Sequence, residues 1–199
     1  MTDEPGGRKP GQGVETLRAA TREAHGRLDR LVDLRTWDAT RHRWWLQRML
    51  GLHEPLEHDL AGLPAGQAPD LAARRRSPAI AADLRQLGLT EAEVRSLPRS
   101  PLPPRARERG RALGQLYVLD GSALGGAVIA THAIANGVPA QACTSLAHSR
   151  QRITVWHETR RLIDDLGPGE LDEAVRAAVE LFAVFEAWLH TPAPAGAVR

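Results

Sequence analysis

A histidine and an aspartate one helical turn apart, His25 and Asp29, are the residues of this sequence best placed to do chemistry. Arg18, Thr21 and Arg22 precede them at helical spacing. A histidine in such a position is able to ligate a metal through one ring nitrogen, while the aspartate accepts a hydrogen bond from the other and orients the ring. A half-buried histidine without any ligand fits the same spacing.

A second candidate is a segment rich in glycine, residues 114–126. Glycine inside a helix costs about 1 kcal/mol relative to alanine, yet Gly114, Gly121, Gly125 and Gly126 all lie here. The first three stand at i, i+7 and i+11 and share one helix face. That face predicts either close packing of another helix or a flat ligand lying across bare backbone. A dinucleotide-binding glycine motif is excluded because no strand precedes it.

Other metal and nucleophile patterns are weaker. Residues 53–58 contain two His/Glu pairs, but a di-iron bundle requires Glu-x-x-His twice, and no histidine has a glutamate three positions before it. With one cysteine, Cys143, the chain offers no zinc knuckle. Ser122 lies in no nucleophile elbow. We expect the remaining histidines to be surface or capping residues: His42, His132, His148, His157 and His190.

The elements that must position these residues are helices. The first has an apolar stripe at spacings of three and four, through Val14, Leu17, Thr21, Ala24, Leu28 and Leu31. A capping box at Thr90 and Glu93 opens a short helix. The longer helical patterns cover about 14–31, 41–63, 80–87, 105–135, 144–166 and 170–190. Pro55 is expected to kink the second of these helices.

No strand-like alternation, internal repeat or domain boundary interrupts these helices. We therefore predict an all-α fold with a single helical domain over residues 14–190. Residues 1–13 and 191–199 are rich in Gly, Pro or Ala and are expected to be flexible tails.

The charge balance and the cysteine count limit partners and compartment. With 26 basic and 24 acidic residues, the net charge is +2, which gives no argument for nucleic acid. The short cluster at residues 74–76, three arginines, is interpreted as a solvated loop or helix end. One cysteine cannot form an internal disulfide, and neither a signal peptide nor an apolar run of membrane-spanning length is visible. We expect a soluble cytoplasmic protein.

Taken together, these residues resemble the haem oxygenase family, particularly its bacterial members found with bacteriophytochromes. Residues 17–25 are similar to the family's proximal helix, and His25 falls where its axial histidine falls. Residues 117–126 are similar to its distal helix, and residues 80–88 to a middle helix. The aromatic residues Phe182, Phe185 and Trp188 resemble its last helix. The likeness covers about residues 14–190 and implies a haem oxygenase-like helical bundle.

The resemblance also implies a site. His25 would ligate the iron of haem b, which is both cofactor and substrate. Gly121, Ser122 and Gly125 would form the catalytic distal face, where Ser122 takes the place of an aspartate of the animal enzymes. The other contacts to haem would come from Thr21, Gly126 and the propionate ligands Arg18, Tyr117 and either Arg160 or Arg161.

The implied activity is oxidative cleavage of the haem ring at a meso carbon to biliverdin, CO and Fe(II). It would consume O2 and electrons from a ferredoxin or an NAD(P)H-dependent reductase. A bacteriophytochrome would accept the bilin, and the protein would be a monomer without membrane or nucleic-acid partners. Two alternatives stay open: a non-catalytic haem carrier or sensor, and a thiaminase- or quinone-cofactor-type enzyme on the same fold.

Overall fold

Helices make up the regular structure of the computed structural model, which describes residues 11–64, 66, 68–103, 105–147 and 149–191. Within these ranges no strand occurs, which confirms the predicted all-α fold. The α-helices are α1 (Gln12–Leu31), α2 (Ala39–Ala61), α3 (Ser77–Gln86), α4 (Glu91–Ser96), α5 (Arg109–Ala135), α6 (Arg150–Asp164) and α7 (Pro168–His190). Short 3₁₀ helices lie at Leu34–Thr36, Ala72–Arg74, Ala140–Ala142 and Thr144–Leu146.

α1 begins at Gln12, slightly inside the segment expected to be a flexible tail. The reason is a distant carboxylate: Asp164 at the end of α6 accepts hydrogen bonds from the backbone N–H groups of Gly11, Gly13 and Val14. Amides of a first helical turn otherwise lack partners, so this contact fixes where the helix starts. Residues 1–10 and 192–199, the remainder of the expected tails, lie outside the described residues.

The helix expected from residue 144 is divided in two. Asp83 of α3 accepts hydrogen bonds from the backbone N–H groups of Thr144 and Ser145, which fixes the start of a single 3₁₀ turn, Thr144–Leu146. Ser149 then caps α6 by accepting a hydrogen bond from the Arg152 backbone N–H. The predicted helix therefore starts later, at Arg150.

α5 lies in the core and packs most extensively against α6 and α7. An added Cβ at Gly110 or Gly114 would collide with the carbonyl oxygens of Glu170 and Ala174 on α7. These glycines therefore allow the two helices to approach closely. α5 is also long and apolar enough for a membrane span by composition, a property that it shares with core helices of soluble proteins.

His42 is fully buried, so its expected place at the surface was wrong. The Trp37 indole N–H donates a hydrogen bond to its Nδ1 at 3.2 Å, and Nε2 lies 2.9 Å from the carbonyl oxygen of Ala142. Because Nδ1 accepts, the ring proton is on Nε2 and is donated to Ala142, which makes the imidazole neutral. Burial accordingly lowers the pKa of His42.

The free energy of unfolding is expected to decrease as pH falls from 7 to 5. Histidine in the unfolded chain has a pKa of about 6.5. Because burial lowers the pKa of His42 and of His53 in the folded state, the unfolded chain takes up protons first as pH falls. Urea denaturation at each pH measures the effect. His42→Gln should have a shallower decrease, whereas a change at the exposed His58 should keep the original slope; equal slopes would contradict this explanation.

Candidate functional site

A cavity of about 780 Å³ lies between α1, α2, α5, α6 and α7. This volume falls within the range of about 300–1,000 Å³ typical of ligand and cofactor sites. Its wall is mainly apolar, with Trp45, Met49, Phe182 and Phe185 among its members. All eight site residues predicted from the sequence line this one cavity: Arg18, Thr21, His25, Tyr117, Gly121, Ser122, Gly125 and Gly126.

His25 is held by its own helix. Its Nδ1 lies 2.9 Å from Oδ2 of Asp29, and a carboxylate accepts, so the ring proton belongs on Nδ1. The ring also lies 6.0 Å from that of Phe182 between centroids. The His25 side chain is 64% exposed, and within the described part of the chain no residue contacts its Nε2 by a hydrogen bond. That nitrogen is thus able to serve as a metal ligand.

The predicted glycine face has two different uses along α5. At Gly125, an added Cβ would meet nothing within 4 Å, and at Gly121 it would meet only the ring of Trp156 at 3.6 Å. Both positions therefore present bare backbone to the cavity. Gly114 packs against α7 instead, and an added Cβ at Gly126 would lie 3.0 Å from the Leu146 carbonyl oxygen. The two uses predicted for the glycines therefore both occur: Gly114 allows close helix packing, and Gly121 and Gly125 form an open face.

Polar groups at the cavity wall come from α1, from α5 and from the residue before α3, while α6 contributes an aromatic ring. Arg18 and Arg22 follow one face of α1. Tyr117 packs against Trp156, with 5.6 Å between ring centroids. The hydroxyl of Thr21 donates to the Leu17 carbonyl at 2.8 Å, so its proton is engaged within α1.

The fifth predicted helix contributes a different residue from the one expected. Trp156 lines the cavity, whereas Arg160 and Arg161 do not. Arg161 pairs with Asp165 on the outside of α6 at 3.0 Å. The sequence therefore located the helix that borders the cavity without locating its contact residue.

The arginine cluster at residues 74–76 was wrongly interpreted as solvated. Only Arg75 is exposed. Arg74 is buried against Asp120, and its guanidinium also donates to the Thr159 hydroxyl at 2.9 Å. Asp120 was the available signal, because a carboxylate in the middle of an apolar helix requires a buried cationic partner.

Arg76 is the functional candidate that sequence reasoning missed. It is 6% exposed and lines the cavity. Its guanidinium donates to Oγ of Ser122 at 3.1 Å and to the Ser145 carbonyl at 3.3 Å. Burial, together with the nearby Arg152, lowers its pKa to about 10. Because this value is well above neutral pH, Arg76 brings a positive charge to the cavity wall.

Ser122 is consequently placed between two partners. It accepts a hydrogen bond from Arg76 and donates its own proton to the Leu119 carbonyl at 2.8 Å. Its hydroxyl proton is therefore engaged within α5. The charged donor at this wall is Arg76.

The His/Glu segment of α2 forms a buried polar pair. Nδ1 of His53 lies 3.3 Å from Oε1 of Glu57, and that oxygen also accepts the Arg76 backbone N–H at 2.8 Å. The described ranges contain no group of three or more His, Cys, Asp or Glu side chains arranged to hold a metal ion.

The chain shares its fold with a solved haem oxygenase. That protein, from Neisseria meningitidis, has been solved with NO and with CO bound. The two structures superpose with a TM-score of 0.67 at 24% sequence identity, over 92% of this chain and 97% of the other. This confirms the predicted haem oxygenase-like helical bundle. No protein-family model and no curated protein matches the chain.

Proposed function

We propose that the protein is a haem oxygenase that binds haem b in the 780 Å³ cavity and cleaves its ring at a meso carbon. The products would be biliverdin, CO and Fe(II), formed with O2 and external electrons. One observation carries the proposal. On two walls of the same cavity, α1 presents His25 with an available Nε2, and α5 presents bare backbone at Gly121 and Gly125.

The residues at the cavity fit haem. A neutral imidazole whose second nitrogen binds a carboxylate is a well-supported metal ligand, and His25 with Asp29 has this form. The space above Gly125, which a Cβ would enter without contact, suits a flat ring. Arg18 and Tyr117 supply donors for two propionates. When bound, haem supplies the iron that activates O2 and the ring carbon that is oxidised.

The protein's own residues contribute positioning and polarity. Asp29 keeps the His25 proton on Nδ1, so Nε2 stays available to the iron. Gly121 and Gly125 leave room for a small molecule between the α5 backbone and the ring. Since the Ser122 proton is engaged with Leu119, protons for this wall would come from solvent, for which Arg76 and Ser122 are the nearby polar groups.

Partners and compartment follow from the same proposal. Ring cleavage requires electrons that this chain's residues do not supply, so a ferredoxin or an NAD(P)H-dependent reductase is its donor. A bacteriophytochrome is the bilin acceptor. We further propose that the protein acts as a cytoplasmic monomer, with one haem-binding domain over residues 14–190.

Titration of the purified apoprotein with hemin, followed by ascorbate or a reductase in air, tests this function. We expect a one-to-one complex with a sharp Soret band that decays to the spectrum of biliverdin. A stable complex that never decays would identify a haem carrier or sensor. Failure to bind hemin would leave the non-haem enzymes of the same fold as the better explanation.

A further inference from the structure

A second, smaller cavity of about 170 Å³ adjoins the first one. Arg76 lines both. The other walls come from the connection before α3, from α5 and from the beginning of α6, with Arg74, Ala147, Ser149 and Arg152 among their residues. At roughly 30 Å³ per water molecule, this volume corresponds to about six waters. It is far too small for a tetrapyrrole and suits a small ion.

Three arginines that line this small cavity each have a buried nitrogen without a hydrogen-bond partner. Nε of Arg74 and Nε of Arg76 are buried without a hydrogen-bond partner, and the same holds for Nη1 of Arg152. Arg74 and Arg76 are themselves more than nine-tenths buried. Buried donors are normally satisfied, and charged ones carry a larger penalty when they are not. These three nitrogens are closed to solvent, so they show that the protein only partly satisfies the guanidinium groups around the cavity.

The charges around the cavity favour an anionic acceptor. Arg74 is already neutralised by Asp120, which also lines the cavity. Arg76 and Arg152 have no ion pair of this kind among the described residues, and each lies close enough to affect the other: Arg152 lowers the pKa of Arg76. Carboxylates lie near both groups, Glu57 and Asp120 near Arg76 and Asp83 near Arg152. The cavity itself is lined by four arginines and one aspartate, so its wall carries a net positive charge.

The start of α6 adds to this preference. Ser149, Gln151 and Arg152 all line the cavity at the first turn of this 15-residue helix. A helix N-terminus carries a partial positive charge and free amides that favour anions. Guanidinium forks bind the oxygens of tetrahedral anions in a bidentate manner.

We propose that this cavity, which we call the arginine cavity, is a binding site for a small inorganic oxyanion of the phosphate or sulfate type. Arg76 and Arg152 are its charged ligands, and the start of α6 supplies the remaining positive potential. The site is distinct from the haem cavity but shares Arg76 with it. Its occupant would be a bound ion and not a substrate of haem cleavage.

The test is binding of inorganic phosphate to the full-length protein without haem. Thermal unfolding is compared in phosphate and in chloride at equal ionic strength, and titration calorimetry gives Kd. At ten times Kd we expect phosphate to raise Tm by about 3 °C. Parallel titrations with sulfate and with acetate separate a tetrahedral oxyanion from a simple carboxylate.

Arg152→Gln should weaken phosphate binding by at least about tenfold, the loss of one charge-assisted contact. Arg150→Gln, at an exposed position one residue from the cap of the same helix, is the matched control and should bind as the unaltered protein does. Ala147→Glu gives a second route if Arg152→Gln does not fold, because residue 147 is exposed and lines the cavity.

Loss of phosphate binding in Arg152→Gln or Ala147→Glu, with retention in Arg150→Gln, would support the site. Equal stabilisation by phosphate and chloride would overturn it, as would the same phosphate affinity in all three variants. Because no haem is present in these measurements, neither result depends on the proposed oxygenase activity.

Discussion

Replacement of His25 by alanine is expected to remove the iron ligand and to lower the rate of haem degradation by more than about a hundredfold. Loss of a supporting residue alone costs about ten- to a hundredfold in metal sites, and the ligand itself should cost more. His25 is the only histidine at the cavity wall within the described ranges. Since its side chain is 64% exposed, the free energy of unfolding should change by about 0.5 kcal/mol or less.

Absorption and electron paramagnetic resonance spectra of the hemin complex measure the ligation, and biliverdin formation measures the activity. Exogenous imidazole should restore part of both, because it occupies the space that the His25 side chain leaves. His58→Ala, at an exposed position on α2 outside the cavity, is the matched control and should behave as the unaltered protein. Full activity of the His25 variant without imidazole would refute the proximal assignment.

Substitutions at two glycines of α5 are expected to change different properties: hemin binding at Gly125 and the free energy of unfolding at Gly114. Gly125→Val should leave the free energy of unfolding within about 1 kcal/mol of its original value, because glycine is the poorer helix former and a Cβ there meets nothing within 4 Å. Its methyl groups extend into the cavity and should weaken hemin binding by about tenfold to a hundredfold.

Gly114→Ala is the counterpart. Its new Cβ collides with the Ala174 carbonyl of α7, so the helices must separate and the free energy of unfolding should fall by about 1–3 kcal/mol or more. Hemin affinity of the fraction that remains folded should be unchanged, because Gly114 is not at the cavity wall. Urea denaturation and hemin titration on both variants check the pair. Unaltered hemin binding by Gly125→Val would remove the argument from the open glycine face.

The sequence predicted the helices and the cavity residues because both signals are local. His25, Thr21 and Arg18 recur at turn spacing on α1, and the glycines recur on α5, so each set shares a face once a helix forms. Because α1 and α5 both pack against α6 and α7, all eight residues come to one cavity. Their roles with haem stay predictions until ligand binding is measured.

The buried polar residues were not predictable in the same way. Arg74 meets Asp120 across 46 positions, and His42 meets Ala142 across 100. A local sequence pattern shows only that these side chains are polar, and polar residues are usually exposed. It contains no information about a distant partner. The separate 3₁₀ turn at Thr144–Leu146 was missed for the same reason, since Asp83, which holds Thr144, is 61 positions away.

The two ends of α1 are fastened with unequal strength. At the start of the helix, Asp164 holds three backbone amides; towards its end, the link to α7 is the partly exposed pair Arg27–Glu186, and such pairs contribute about 1 kcal/mol or less. We therefore expect the second half of α1, which carries His25, to separate from its neighbours more readily than the first half. An outward movement of this half would widen the entrance on the His25 side. It would give a large planar molecule a route in, and its opened-chain product a route out, while α5 stays packed on α7.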